Sequence, residues 1–207
     1  MKVLCVGRNY ARHARELGQP VPEAPIWFWK PDSAIIGNGD AIVLPQGIGD
    51  VHHEVELALR IGRDARRVDG AEALEHVDAI TAANDVTARD LQQQAKARGE
   101  PWARAKGFDT FLPLGDWQPF RVRSGVDLQA LDLRLTVDGQ VRQAGSTSDM
   151  VWSAAALLAK ASTWTTLRAG DVLLTGTPEG VGPMRPGQRV VCELVGHVRL
   201  ENPVVSE

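Results

Sequence analysis

Long apolar runs are missing from this chain of 207 residues. The best stretch, Ala154 to Ala159, stops at Lys160, well short of the roughly 18 to 20 apolar residues that a bilayer span requires. No transmembrane helix is expected. The opening residues Met1 to Arg8 carry too short an apolar run for a signal peptide and no small-x-small cleavage pattern, which makes the expected location cytoplasmic. Cysteine is scarce as well. Cys5 and Cys192 are the only two, neither lies in a Cys-x-x-Cys pair, and both read as buried small hydrophobes rather than disulfide partners. Charge of one sign is also lacking. The formal net charge is -3, the isoelectric point is near 6.0, and the run Gly62 to Arg67 is broken by Asp64, so nothing marks a nucleic-acid surface.

Several cofactor and nucleophile signatures are absent too. The chain has no Gly-x-Gly-x-x-Gly, no phosphate loop ending in Lys-Ser/Thr, no Gly-x-Ser-x-Gly and no His-Glu-x-x-His. What remains is ordinary globular composition, 43% hydrophobic and 24% charged, with a mean hydropathy of -0.17. This excludes disorder and provides for one domain over residues 1–207 with its own core.

Local patterns give a strand over Lys2 to Val6, then a short helix from an Asn9 cap to Leu17, closed by Gly18. Short strands follow at Ile26 to Lys30 and Ala41 to Leu44, separated by Pro and Gly. From His53 to Ile61 the alternation is clean. Val55, Leu57, Leu59 and Ile61 point one way, and Glu54, Glu56, Ala58 and Arg60 the other. A helix is expected at Ala71 to Val77, a strand at Ala79 to Asn84 ending in Asp85, and a helix capped by Thr87 running to Arg98. The second half reads as sheet. Leu131 to Val137 and Gln140 to Gln143 flank the hairpin signal Asp138-Gly139. A helix over Met150 to Ala161 takes Ser148 or Asp149 as cap, and strands are expected at Asp171 to Leu174 and Val190 to Val195.

Glu54, Glu56 and Asp85 are the sharpest constellation. Three carboxylates with no cysteine among them make a hard oxygen site, suited to Mg2+ or Mn2+ rather than zinc. Against this stands the plain reading of three solvated surface acids. His52 and His53 are placed around the site or at the surface. His13 and Glu16 lie three apart on a predicted helix, where they can pair as acid and base, unless they are a solvated face. Lys106 could hold an anion. The amides of the glycine-rich loop Gly176 to Pro183 could bind a carboxylate.

Five segments in this order resemble the fumarylacetoacetate hydrolase family, in particular its small branch of acylpyruvate hydrolases and oxaloacetate decarboxylases. They are Cys5 to His13, His52 to Leu57, Asp85 to Gln92, Pro101 to Lys106 and Leu174 to Pro183. The resemblance implies a mixed β-rich α+β fold, a β-roll with short flanking helices, assembled as a homodimer. It implies Mg2+, or Mn2+, on Glu54, Glu56 and Asp85. It also implies a His13–Glu16 dyad on a mobile lid spanning about residues 13–25, an electrophilic Lys106, and substrate contacts from Arg89, Gln92, Gly176 and Thr177. The activity implied is metal-dependent cleavage of the C–C bond of acylpyruvates, with oxaloacetate decarboxylation as a companion. The alternative is a decarboxylase, isomerase or fumarylpyruvate hydrolase of aromatic-compound degradation. A rival of another class is a non-catalytic metabolite-binding relative, whose mark would be loss of the dyad or lysine. Two positions depart from the pattern: Asn84 before Asp85, and Trp29 between Phe28 and Lys30.

Overall fold

The computed structural model describes residues 1–207 as a β-rich α+β fold with few, short helices. A six-stranded sheet runs in the order Gln118–Pro119, Val77–Asn84, Val55–Ile61, Val172–Leu174, Val3–Gly7 and Ile26–Lys30. Its neighbours are antiparallel except Val3–Gly7 beside Val172–Leu174. A five-stranded sheet follows the order Gln140–Ser146, Asp132–Val137, Arg189–Leu194, Val198–Ser206 and Ile42–Leu44. A small third sheet joins Gly182–Pro183, Val51–His53 and Thr87–Ala88. No helix is long and apolar enough to cross a membrane.

Period-two patterning sorts the six-stranded sheet's side chains into two cores. Val55, Leu57, Leu59 and Ile61 join Leu4, Val6, Leu133, Leu135 and Leu157 in a buried cluster of 38 residues. The other face carries Val3, Cys5, Ala58, Ala83 and Leu174, in a smaller cluster of 10 residues. These floor residues include small ones, so side chains from neighbouring segments reach down onto the sheet there. Both cysteines are buried and free, as expected.

Four local expectations are corrected. Asn9 does not cap the helix Ala11–Glu16; Tyr10 holds the cap position without a side-chain hydrogen bond. Asn9 instead donates from Nδ2 to the Trp152 and Thr175 carbonyls, and its Oδ1 accepts from the Trp152 N–H. Thr87 does not cap Arg89–Arg98 either, because its hydroxyl donates to the Asp85 carbonyl at 2.8 Å. The helix expected at 71–77 shrinks to one 3-10 turn, Ala73–His76, since Val77 is claimed by the sheet ladder. The last helix is Ala154–Trp164, capped by Ser153, whose Oγ accepts from the Ala156 N–H. Met150 is held before it by a bridge to Tyr10.

Asn9 therefore ties the first strand to two segments more than 140 residues away, from a fully buried position. Asn9→Ala would leave the buried Thr175 carbonyl and the half-buried Trp152 backbone without these partners, a loss of about 1–3 kcal/mol for a buried group and less for the other. The variant is expected to lose at least about 2 kcal/mol by denaturant titration at the same slope. A loss below experimental error would show that these bonds do not organise the fold.

Candidate metal and active site

Glu54 sits at the break between the strands Val51–His53 and Val55–Ile61, and Glu56 follows two residues on. Strict strand alternation therefore does not hold Glu54; a clip does. Its N–H donates to Asn84 Oδ1 at 2.9 Å, and its carbonyl accepts from the Asp85 N–H at 2.8 Å. The Asn84 departure has a structural purpose in that clip. Asp85 leaves the end of Val77–Asn84 at the same level, and the ligand atoms of Glu54, Glu56 and Asp85 all lie within 4.8 Å of one another. All three side chains are buried.

Three cations answer them. Lys106, from the short helix Ala103–Lys106, donates from Nζ to Glu54 Oε2 at 2.9 Å and to Asp85 Oδ2 at 2.5 Å. Arg89 bonds Glu54 Oε1 through Nη2 and Gln92 Oε1 through Nη1, and His52 accepts from its Nε. Lys30 was not singled out from the sequence, where nothing in Trp29-Lys30-Pro31 marks it. Its Nζ is enclosed, 2.9 Å from Asp85 Oδ1, and donates to the Val86 and Lys106 carbonyls. It thereby pins the backbone on both sides of the site.

Electrostatics differ sharply among these neighbours. Burial would raise Glu54, but the Lys106 and Arg89 charges hold it far below the usual carboxylate range. Glu56 lacks such a partner. Burial, Asp85 and Glu54 push it well above that range, against the nearby Lys106 charge and a hydrogen bond from the Gly176 N–H. Burial works against the charge on Lys106, yet Asp85 and Glu54 raise it, so it stays an ammonium.

Gly176 has φ 93, and a Cβ there would fall 2.8 Å from that of Asn9. The position needs glycine on both counts. The following residue, Thr177, receives a hydrogen bond from Gln143 Nε2 at 2.8 Å. Gln143 was missed at the sequence level. It is buried, also donates to the Pro178 carbonyl, and accepts from Val55 N–H while pairing with His53 Nδ1. Across the cavity, His13 Nδ1 lies 3.1 Å from Glu16 Oε2, and Glu16 Oε1 accepts from the Gly180 N–H. Burial opposes the charge on Glu16, but these two bonds lower its pKa.

His13, Glu54, Glu56, Asp85, Arg89, Gln92, Lys106 and Thr177 thus line one small cavity, while Glu16 and Gly176 stand behind it through His13 and Glu56. The carboxylates fit a divalent cation. Asp85 Oδ1 meets the Lys30 ammonium at 2.9 Å without a well-formed hydrogen bond, and burial beside Asp85 and Glu54 raises Glu56. A hard cation would relieve both.

Residues 2–205 match the family model described as fumarylacetoacetate (FAA) hydrolase C-terminal. A mitochondrial oxaloacetate tautomerase of Arabidopsis thaliana is 47% identical over 195 residues, covering 94% of this chain and 86% of that protein. A mitochondrial oxaloacetate decarboxylase of Dictyostelium discoideum is 43% identical, covering 94% and 89%. The crystal structure of a Pseudomonas aeruginosa fumarylpyruvate hydrolase with Mn2+ and pyruvate superposes with a TM-score of 0.94 at 36% identity, covering 100% of this chain and 90% of that one.

Mn2+ or Mg2+ at about 100 times its dissociation constant is expected to stabilise the fold by about 2.7 kcal/mol, read as a rise in melting temperature. In Glu56→Gln the rise should vanish while the circular dichroism spectrum is kept. No rise in the unsubstituted protein would remove the cluster as a metal centre.

Proposed function

Because the chain belongs to the fumarylacetoacetate hydrolase family, we propose that it is a divalent-metal-dependent enzyme acting on oxaloacetate or a close 2-oxo acid. Its leading reaction in this reading is keto–enol interconversion, with decarboxylation on the same site. The observation that carries the reading is the buried carboxylate trio bridged by the Lys106 ammonium. The relatives' names favour this over the acylpyruvate hydrolysis expected from the sequence. Hydrolysis of an acylpyruvate or fumarylpyruvate is the second reading, favoured by the His13–Glu16 dyad and the fumarylpyruvate hydrolase likeness. Mg2+ or Mn2+ as the ion, and a homodimer as the assembly, are taken from family likeness.

These reactions share one demand. Whether a proton, carbon dioxide or an acyl group leaves C3, electrons flow toward the 2-oxo oxygen, which gains negative charge. A divalent cation on Glu54, Glu56 and Asp85 would supply Lewis-acid stabilisation of such charge. Lys106 Nζ, kept protonated by Asp85 and Glu54, donates to that oxygen as its charge grows. Arg89 and Gln92, already bonded to each other, bind the carboxylate end, with the Thr177 hydroxyl fixed opposite by Gln143. Glu16, held ionised, accepts from His13 Nδ1–H and leaves Nε2 with a lone pair. That nitrogen takes the C3 proton in tautomerisation, or a water proton in hydrolysis. Decarboxylation needs no such base.

His13→Ala is therefore expected to slow enol-oxaloacetate ketonisation and acetylpyruvate or fumarylpyruvate hydrolysis by about 100-fold or more, and decarboxylation much less. Lys106→Met should damage all of them. The readout is the ratio of rates over that substrate panel, with bound metal quantified and an exhaustively chelated control. An unchanged ratio in His13→Ala would remove His13 as the base, and full activity after chelation would overturn the metal-dependent reading.

The lid belongs to the same proposal. The helix Ala11–Glu16 reaches the rest of the site chiefly through Glu16 to Gly180 and Arg12 to Glu179, and the segment beyond Gly18 contains Pro20, Pro22 and Pro25. Such weakly anchored segments close over substrate and exclude water. Amide hydrogen exchange over 13–25 should slow when Mn2+ and oxalate are both present. Equal exchange with and without them would show a fixed segment.

A further inference from the structure

Two cations at the cavity mouth are left over from the charge balance inside it. Within the site, Glu54, Glu56 and Asp85 face Lys30, Arg89 and Lys106, three against three. Arg8 and Lys96 line both this cavity and the outer groove into which it opens. Neither makes an ion pair, and Arg8 Nε is buried with no hydrogen-bond partner. The one carboxylate lining the outer groove, Glu100, stands 4.0 Å from Arg98.

The local backbone is shaped around this pair. Arg8 has φ 59, a left-handed conformation that residues with side chains seldom adopt and that concentrates at ligand sites. A Cβ on the preceding Gly7 would meet the Trp102 ring at 2.9 Å, so glycine lets that indole close down beside Arg8. Lys96 Nζ lies 5.1 Å from the centre of the same ring. The indole face holds the ammonium without consuming its hydrogen-bond donors. Burial, with Arg89 and Arg8 nearby, lowers Lys96 to about 8, a repulsion that an arriving anion would relieve.

We propose that Arg8 and Lys96 form a second anion subsite, which takes the distal carboxylate of a 2-oxo dicarboxylate and makes the chain select dianionic acids over those with a neutral tail. This rests on the reading that the head of a 2-oxo acid binds at the carboxylate cluster. The head then sits on the inner site and the tail points to the mouth. One charge-assisted contact at that tail is enough for roughly tenfold discrimination.

The test is calorimetric binding to the Mn2+-loaded full chain, using 2-oxoglutarate, its uncharged-tail counterpart 2-oxopentanoate, and oxalate as a head without a tail. The unsubstituted protein should bind 2-oxoglutarate at least about 10-fold more tightly than 2-oxopentanoate. In Arg8→Met and in Lys96→Met that ratio should fall below about threefold, and Arg8→Lys should restore part of it. Lys96 is half-buried on a helix face, so its variant reports even if Arg8→Met fails to fold. A ratio near one in the unsubstituted protein, or a ratio that persists in the folded variants, overturns the subsite while oxalate binding leaves the 2-oxo acid reading standing. If oxalate does not bind, that reading fails and the subsite falls with it.

Discussion

Burying three carboxylates within a few ångströms is among the costliest things a small fold can do, since each must leave water and repel the others. This structure meets the cost by bringing Lys30, Arg89 and Lys106 to the same point. Each cation comes from a different part of the chain: a sheet strand, a helix start and a helix of four residues. Much of the surrounding architecture serves that meeting. Lys30 bonds the carbonyl of Lys106 and that of Val86, so the two segments carrying Lys106 and Asp85 are tied to each other as well as to the charge.

The compensation is uneven, and the unevenness carries the chemistry. Glu54 is saturated by Lys106 and Arg89, whereas Glu56 has only a backbone amide and Asp85 keeps one oxygen without a hydrogen bond. A site whose every carboxylate oxygen was held by side-chain donors would have nothing left to offer an ion, and one without cations would not stay folded around its acids. The same division appears outward. The cluster is rigidly supported by sheet and small-residue floor, while the His13–Glu16 side of the cavity rests on a six-residue helix with few bonds to the rest. The charged cluster and the proposed cover therefore come from separate elements.

Much of this was legible in the sequence where the signal is local. Period-two alternation from Val55 to Ile61 marked the face that packs into the larger core, and Asp85 at a strand end marked the corner that brings it to Glu54. Long-range bonds left no such mark. Asn9 looks like a helix cap because its neighbours are helical, but its partners lie at Trp152 and Thr175. Lys30 and Gln143 sit in ordinary strand patterns, and only the fold shows them enclosed among polar groups. The strand Val198–Ser206 went unrecognised although Val198, Leu200, Asn202 and Val204 are buried in alternation. Asn and Pro within it disguise the period. Competition explains the short 3-10 turn at Ala73–His76, since pairing in the sheet outbids helix propensity for Val77.

The central claim is that Glu56, buried beside two other carboxylates with no ion pair of its own, completes with Glu54 and Asp85 a site for one divalent cation at this point of the fold. Anomalous diffraction from crystals of the protein grown with Mn2+ tests it most directly. The account predicts one strong peak per chain, with oxygens of Glu54, Glu56 and Asp85 at metal-ligand distance, and no peak there in Glu56→Gln. A peak elsewhere with this cluster empty, or a cluster in which Lys106 remains the sole bridge between Glu54 and Asp85, would contradict it.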